Sequence, residues 1–179
     1  MGPWFIAKQK FGPKSQEAWA TYVRWSGLTQ LDEVVSIDST LNPVVLKEMK
    51  SHYWPYVPNE HAMFGLFADL GFLLKEIAQI PERNLLCVFL NPSEPPTPPQ
   101  APVRFEFLGY DLVEAGGSIS ALTNCGGFPG AFSNTELSCK GLLSSHARAL
   151  DVQAKLRALY PEEHHADCDV WAIARSVES

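Results

Sequence analysis

Two short segments of this chain concentrate the residue types that chemistry needs. In Ser120-Ala121-Leu122-Thr123-Asn124-Cys125-Gly126-Gly127-Phe128-Pro129-Gly130, an amide, a thiol and a glycine pair follow one another. A turn there can converge backbone N–H groups beside an exposed thiolate, which a cysteine nucleophile requires. In Glu162-Glu163-His164-His165-Ala166-Asp167-Cys168-Asp169, two imidazoles, a thiol and several carboxylates fall together. Combined, the two segments spell a cysteine-dependent hydrolase or transferase, with Cys125 as nucleophile, His165 as base and Asp167 or Asn124 orienting it. Each segment also has a plainer reading. Paired glycines serve turns that need positive φ, a cysteine between strand and loop is a small buried hydrophobe, and residues 162–169 make a solvated helix-to-strand turn. His165 and Cys168 supply an HxxC pair where a structural zinc needs four ligands, so neither a metal nor a cofactor is expected.

A third candidate is a binding surface. Tyr53-Trp54-Pro55-Tyr56 sets three aromatics around a proline, and Tyr and Trp give large contact area at low entropic cost. Tyr53, Trp54 and Tyr56 are therefore the expected anchors for a protein partner. Their alternative role is a lid folded over the core. Five of the ten residues in 93–102 are proline, which makes an extended connector that cannot pair in a sheet and can serve as a docking strip. Asp111 with Glu114, or Asp32 with Glu33, offer carboxylate pairs, but acid–base work needs a spatial pair in a cleft. Ser144-Ser145-His146 lacks the glycine pattern of a nucleophile elbow, and no glycine cluster matches GxGxxG or a P-loop.

Composition narrows the function classes. The chain has 179 residues, 46% apolar and 19% charged, enough to bury a core and to fold as a single domain over 1–179. The formal charge is −6, from 14 basic and 20 acidic residues. The excess lies in the second half: residues 91–179 carry 6 basic and 11 acidic groups. That distribution argues against nucleic acid as a partner, because phosphates must be neutralised by clustered Lys and Arg, and leaves a basic protein partner open. Cys87, Cys125, Cys139 and Cys168 form no CxxC pair, so free thiols in a reducing cytoplasm are expected. No run approaches the roughly 18 to 20 apolar residues of a membrane helix, and the N-terminus has no secretory pattern. No membrane partner is expected, and the sequence does not settle the oligomeric state.

The elements that must position these residues follow from periodicity. Strands are predicted at residues 3–11, 33–38, 63–67, 84–90, 104–112, 118–123 and 169–174. Helices are predicted from Ser15 to Gly27, from an Asp69 cap through Leu70, Leu73, Leu74 and Ile77, and over 145–160 from a Ser144 cap with Ala149, Val152, Leu156 and Leu159 inward. Residues 85–90 are apolar throughout, and 84–90 read as a central strand. The order does not alternate as a doubly wound sheet does. The expected fold is α+β, a mixed, mostly antiparallel sheet with about three helices packed on one face.

The runs Phe107-Leu108-Gly109-Tyr110-Asp111-Leu112, Ser120-Ala121-Leu122-Thr123-Asn124-Cys125-Gly126-Gly127-Phe128 and His165-Ala166-Asp167-Cys168, with Val170-Trp171-Ala172-Ile173, resemble an uncharacterised group of bacterial proteins of similar size. That resemblance implies a small bacterial protein and carries over no functional residue. In size and charge the chain is also similar to the acidic α+β proteins that serve as immunity partners of bacterial toxins. The leading expectation is thus a non-catalytic, immunity-type binding protein that presents acidic and aromatic surface to a partner. The alternatives are the Cys125 enzyme and a structural subunit docking through the proline strip.

Overall fold

The structure, a computed structural model, describes residues 3–41, 44, 65–115 and 119–177. Tyr53, Trp54 and Tyr56 lie outside the described residues. Four strands form one sheet: β1 (Trp4–Gln9), β2 (Arg83–Leu90), β3 (Phe105–Glu114) and β4 (Cys168–Ser176). Their order is β1-β2-β4-β3 and each pairing is antiparallel. With the helices α1 (Gln16–Ser26), α2 (Leu70–Ile77) and α3 (His146–Leu159), this is an α+β fold. The apolar run β2 lies between β1 and β4, where both of its faces are covered, and Leu85, Leu86, Cys87 and Val88 are buried.

Two core clusters flank the sheet. In one, Leu73 and Ile77 of α2 pack with Trp4, Ile6, Val88 and Ile173. In the other, Trp19 of α1 and Ala149, Val152 and Leu156 of α3 pack with Tyr110, Leu112, Val170 and Ala172. Successive side chains of a strand point to opposite sides, so Trp171 and Ile173 join the first cluster and Val170 and Ala172 the second. The three helices divide between them accordingly.

Helix ends follow local chemistry. Asp69 Oδ1 accepts from Phe72 N at 3.0 Å, satisfying one orphan donor of α2. Asp69→Ala is expected to lower stability by about 1 kcal/mol, read as a shift of the urea midpoint with unchanged slope. α3 is capped by Ser145, whose Oγ accepts from Arg148 N at 3.3 Å, rather than by Ser144. Ser15 occupies the N-cap of α1 without a side-chain bond, because a 3-10 turn over Pro13–Ser15 leads into that helix. Leu159, expected inward, is 54% exposed at the last position of α3.

Among the described residues, three of the predicted strands are not strands. Residues 33–38 are extended, but their backbone meets loops: Val34 N donates to Phe11 O at 2.9 Å and Val35 N to Lys140 O at 3.1 Å. In the region predicted at 63–67, Phe67 makes an isolated bridge to Phe5, and in 118–123 Ser120 makes one to Val113. β3 departs from simple alternation too. Its register with β4 shifts between Phe107, opposite Ala174, and Gly109, opposite Ile173. This bulge reverses the side taken by every later residue, so Phe107 and Gly109 do not share a face as alternation predicts. It sets Asp111 opposite Trp171, fully buried.

Candidate functional site

A charged side chain inside an apolar core needs partners for every oxygen and nitrogen it carries. Here two buried aspartates find theirs in each other's neighbours. Asp111 Oδ1 accepts from Ser120 Oγ at 2.6 Å and from Leu112 N at 2.8 Å, while Ser36 Oγ donates to Asp111 Oδ2. Ser36 Oγ in turn accepts from Asp38 N at 2.9 Å. Asp38 Oδ1 accepts from Thr40 N at 2.8 Å and Thr40 Oγ1 at 2.7 Å. Its Oδ2 accepts from Ser120 N at 2.6 Å and Asn124 Nδ2 at 3.1 Å. Ser36 and Ser120 therefore bridge two carboxylates from elements far apart in sequence, the segment after Val34 and the bulged half of β3.

Electrostatics follow from this burial. Loss of water lifts the Asp111 carboxyl to about 6, assisted by the charge of Asp38 and opposed by the Ser120, Ser36 and Leu112 hydrogen bonds. Lys8, on β1, reaches the same region from behind: its Nζ donates to Asp38 O at 2.8 Å and Leu41 O at 2.5 Å. Burial lowers that ammonium to about 8, while Asp38 pulls the other way. In front of Asp38 lies a cavity of about 230 Å³ whose walls include Phe11, Tyr22, Thr40, Thr123 and Asn124. Tyr22 OH donates to Thr123 O at 2.8 Å, which ties α1 to the turn carrying Asn124 and Cys125.

The residues proposed for catalysis have other partners. Cys125 Sγ donates to Ser120 O at 3.4 Å. Burial pushes this thiol up to about 12, and the carboxylates of Asp38, Glu114, Asp111 and Glu163 push the same way. His165 Nδ1 is hydrogen-bonded to Glu114 Oε2 at 3.2 Å, and Arg157 Nε donates to Asp167 Oδ1 at 3.1 Å. Among the described residues no hydrogen bond joins Cys125 to an imidazole. Burial, with the charge of those carboxylates added, keeps the Cys125 thiol protonated. Cys168 Sγ donates to His165 O at 2.8 Å, and among the described residues no group of three His, Cys, Asp or Glu is arranged to hold a metal ion. Alkylation with iodoacetamide near neutral pH is expected to label the exposed Cys139 first. Cys125 should react at least about a hundredfold more slowly until the chain is unfolded, as peptide mass spectrometry would show.

The glycine pair has a conformational reason: Gly126 and Gly127 adopt φ of 70° and 96°, which favours glycine. Their turn lies between the ends of two helices. The Trp25 ring is 3.8 Å from where a Gly126 Cβ would sit, and Leu159 Cδ1 is 3.5 Å from the corresponding point of Gly130. Tyr160 OH donates to Pro129 O at 2.6 Å and its ring packs edge-on against Phe128 at 5.0 Å. Trp25 is 55% exposed, with its ring 6.2 Å from that of Tyr22. The outcome is an apolar strip running from Trp25 over the turn to Leu159.

Sequence reasoning weighed Asp111 only against Glu114, and treated Asp38 and Ser36 as strand residues. Their signal was an acid inside an apolar run, in Val34-Val35-Ser36-Ile37-Asp38 and Gly109-Tyr110-Asp111-Leu112-Val113; such an acid must find donors on another segment. Trp25 carried no signal beyond its type. Neither a protein-family model, nor a curated protein, nor a solved structure matches the chain.

Proposed function

We propose that this chain is a non-catalytic binding protein that engages a basic protein partner, as an immunity-type inhibitor does, with Trp25 as its central anchor. The observation that carries the reading is the large exposed indole of Trp25, seated between Tyr22 and the Gly126 turn on an acidic molecule. Exposed Trp and Tyr held rigidly by their neighbours are what interfaces use for affinity, and complementary charge raises the association rate. Glu17 lies beside Trp25 on the same surface and the Arg24 guanidinium on the neighbouring Thr21 hydroxyl, so the charge that favours a cationic partner is the acidic excess of the whole molecule. The state of the titratable groups supports the same view: Asp38 and Asp111 have their oxygens filled by internal donors, and the Cys125 thiol is held protonated. Four free cysteines support a reducing, cytoplasmic setting.

The test is affinity capture from the native host with immobilised wild-type protein and Trp25→Ala. Because Trp25 is more than half exposed, the variant should keep its stability. It should lose a stoichiometric, salt-sensitive partner, with affinity reduced by about thirtyfold or more. Absence of such a partner, or equal capture by both proteins, defeats the reading.

A further inference from the structure

We propose that the cavity in front of Asp38 is a receptor for one cationic side chain, the ammonium or guanidinium of a lysine or arginine on the basic partner. The inference rests on the binding-protein reading above and names the contact that would confer its preference for a basic partner.

Size comes first. At about 230 Å³ the cavity is smaller than the roughly 300–1,000 Å³ sites that take drug-sized ligands, and suits a group on the scale of one side chain.

Charge comes next. Asp38 lines the cavity, and Asp111 stands behind it through the shared Ser120, whose N–H binds Asp38 and whose hydroxyl binds Asp111. Against these two carboxylates stands the Lys8 ammonium, which is turned toward the carbonyls of Asp38 and Leu41. Asp38 is buried with its oxygens filled, so its charge acts on the cavity through its field, which favours a cation over an anion.

Hydrogen-bonding capacity points the same way. The Thr40 hydroxyl spends its proton on Asp38 Oδ1, and Tyr22 spends its own on Thr123 O. Neither hydroxyl therefore has a proton to offer a newcomer; the Thr40 oxygen keeps its lone pairs, while the Tyr22 oxygen is also hydrogen-bonded to the Ser26 side chain. Asn124 turns its NH2 to Asp38, which leaves its carbonyl oxygen as an acceptor. A guest rich in donors is matched here, and a guest that only accepts is not.

Aromatic rings complete the wall. Phe11 and Tyr22 are packed edge-to-face with centroids 5.3 Å apart. Ring faces attract cations when water is excluded, and the alkyl stem of a lysine or arginine can lie along them. Tyr22 also connects the cavity to the apolar strip that begins at Trp25, because its ring neighbours that of Trp25. A partner seated on Trp25 thus places a basic residue within reach of Asp38.

The experiment uses the whole chain and two small probes of equal size, n-butylammonium and 1-butanol, titrated while backbone and side-chain amide resonances are followed. n-Butylammonium should give saturable shifts centred on the Thr40 N–H and the Asn124 side-chain amide. Its affinity should be about millimolar, all that so few atoms can supply, and at least about tenfold tighter than that of 1-butanol. Methylguanidinium should bind at the same place. Tyr22→Leu, which removes the ring wall without touching the buried carboxylates, should weaken n-butylammonium severalfold. Equal binding of the alcohol would show an apolar slot and overturn the proposal, as would the absence of ammonium binding at the Asn124 resonance. If a Trp25-dependent partner is captured while n-butylammonium fails to bind, the cavity assignment falls and the binding-protein reading stands. Selective ammonium binding without any captured partner leaves the cavity chemistry supported and defeats that reading.

Discussion

Between pH 4 and pH 7, Asp111→Asn will gain stability relative to the wild-type protein by about 3 kcal/mol, because the buried carboxyl that it replaces titrates near 6 instead of its ordinary value of 3.8. The direction follows from which form the fold prefers. A raised carboxyl pKa means that the folded chain favours the protonated acid, so the folded state binds more protons than the unfolded one at intermediate pH. Stability from this group is therefore fully present below about pH 4 and is lost as pH rises through about 6, the reverse of ordinary acid denaturation. Of the groups that face Asp111, Asp38 is the nearest carboxylate, shares Ser36 and Ser120 with it, and is present in both proteins. Burial raises the Cys125 and Cys168 thiols and the Tyr22 phenol, which stay neutral across this window, and the Lys8 ammonium titrates higher, near 8. The measurement is urea unfolding of both proteins at several pH values. The asparagine keeps the shape and can still bond Ser36, Ser120 and Leu112, so the difference between the two curves isolates the proton. Curves that remain parallel would mean that Asp111 is not desolvated as its full burial implies.

The second large effect is expected at the bulge. Gly109 has φ of 151°, and a Cβ there would sit 2.7 Å from Leu143 O and 2.8 Å from Leu142 Cβ. Neither neighbour can move cheaply. Leu143 O accepts from Tyr110 N at 2.8 Å and Leu143 N donates to Tyr110 O at 3.0 Å, a pair that holds the segment before α3 against β3. Gly109→Ala must part these two backbones or distort the register that buries Asp111, at a cost of about 3 kcal/mol or more. For a domain of this size that lowers Tm by about 10 °C. Gly127→Ala is the control: its φ is 96° but nothing lies within 4 Å of the added carbon, so it carries the conformational penalty alone, about 1 kcal/mol. If calorimetry finds the two variants equal, close approach at Gly109 is not what requires glycine there.

Both effects concern long-range placement, and that is where the sequence stopped being legible. The elements that its letters determined are those whose signals are complete within a few residues. α2 has its cap at Asp69 and its buried stripe of Leu70, Leu73 and Ile77 in one short run. β2 declares itself by unbroken apolar side chains, and α3 by Ala149, Val152 and Leu156. Composition and these runs together were enough for an α+β fold with a central β2. The segment 33–38 has the residue types of a strand, yet whether it pairs with a strand or with the loops at Phe11 and Lys140 depends on backbone far away in sequence. The bulge at Gly109 is equally invisible, since one inserted residue changes the facing of Asp111 without changing its neighbours in the chain.

The candidate site shows the same division. The sequence by itself determined that Asn124, Cys125 and the glycine pair form a turn and that the chain is acidic. Only the tertiary structure decided which partners Asp38 and Asp111 would have: Ser120 N reaches Asp38 across 82 residues, and Ser36 reaches Asp111 across 75. It also decided that Cys125 would be buried in the field of several carboxylates and stay a thiol, and that Trp25 would face solvent beside the glycine turn. The physical reason is that periodicity reports which side of an element is buried, whereas charge, hydrogen bonding and pKa depend on what the opposing element presents.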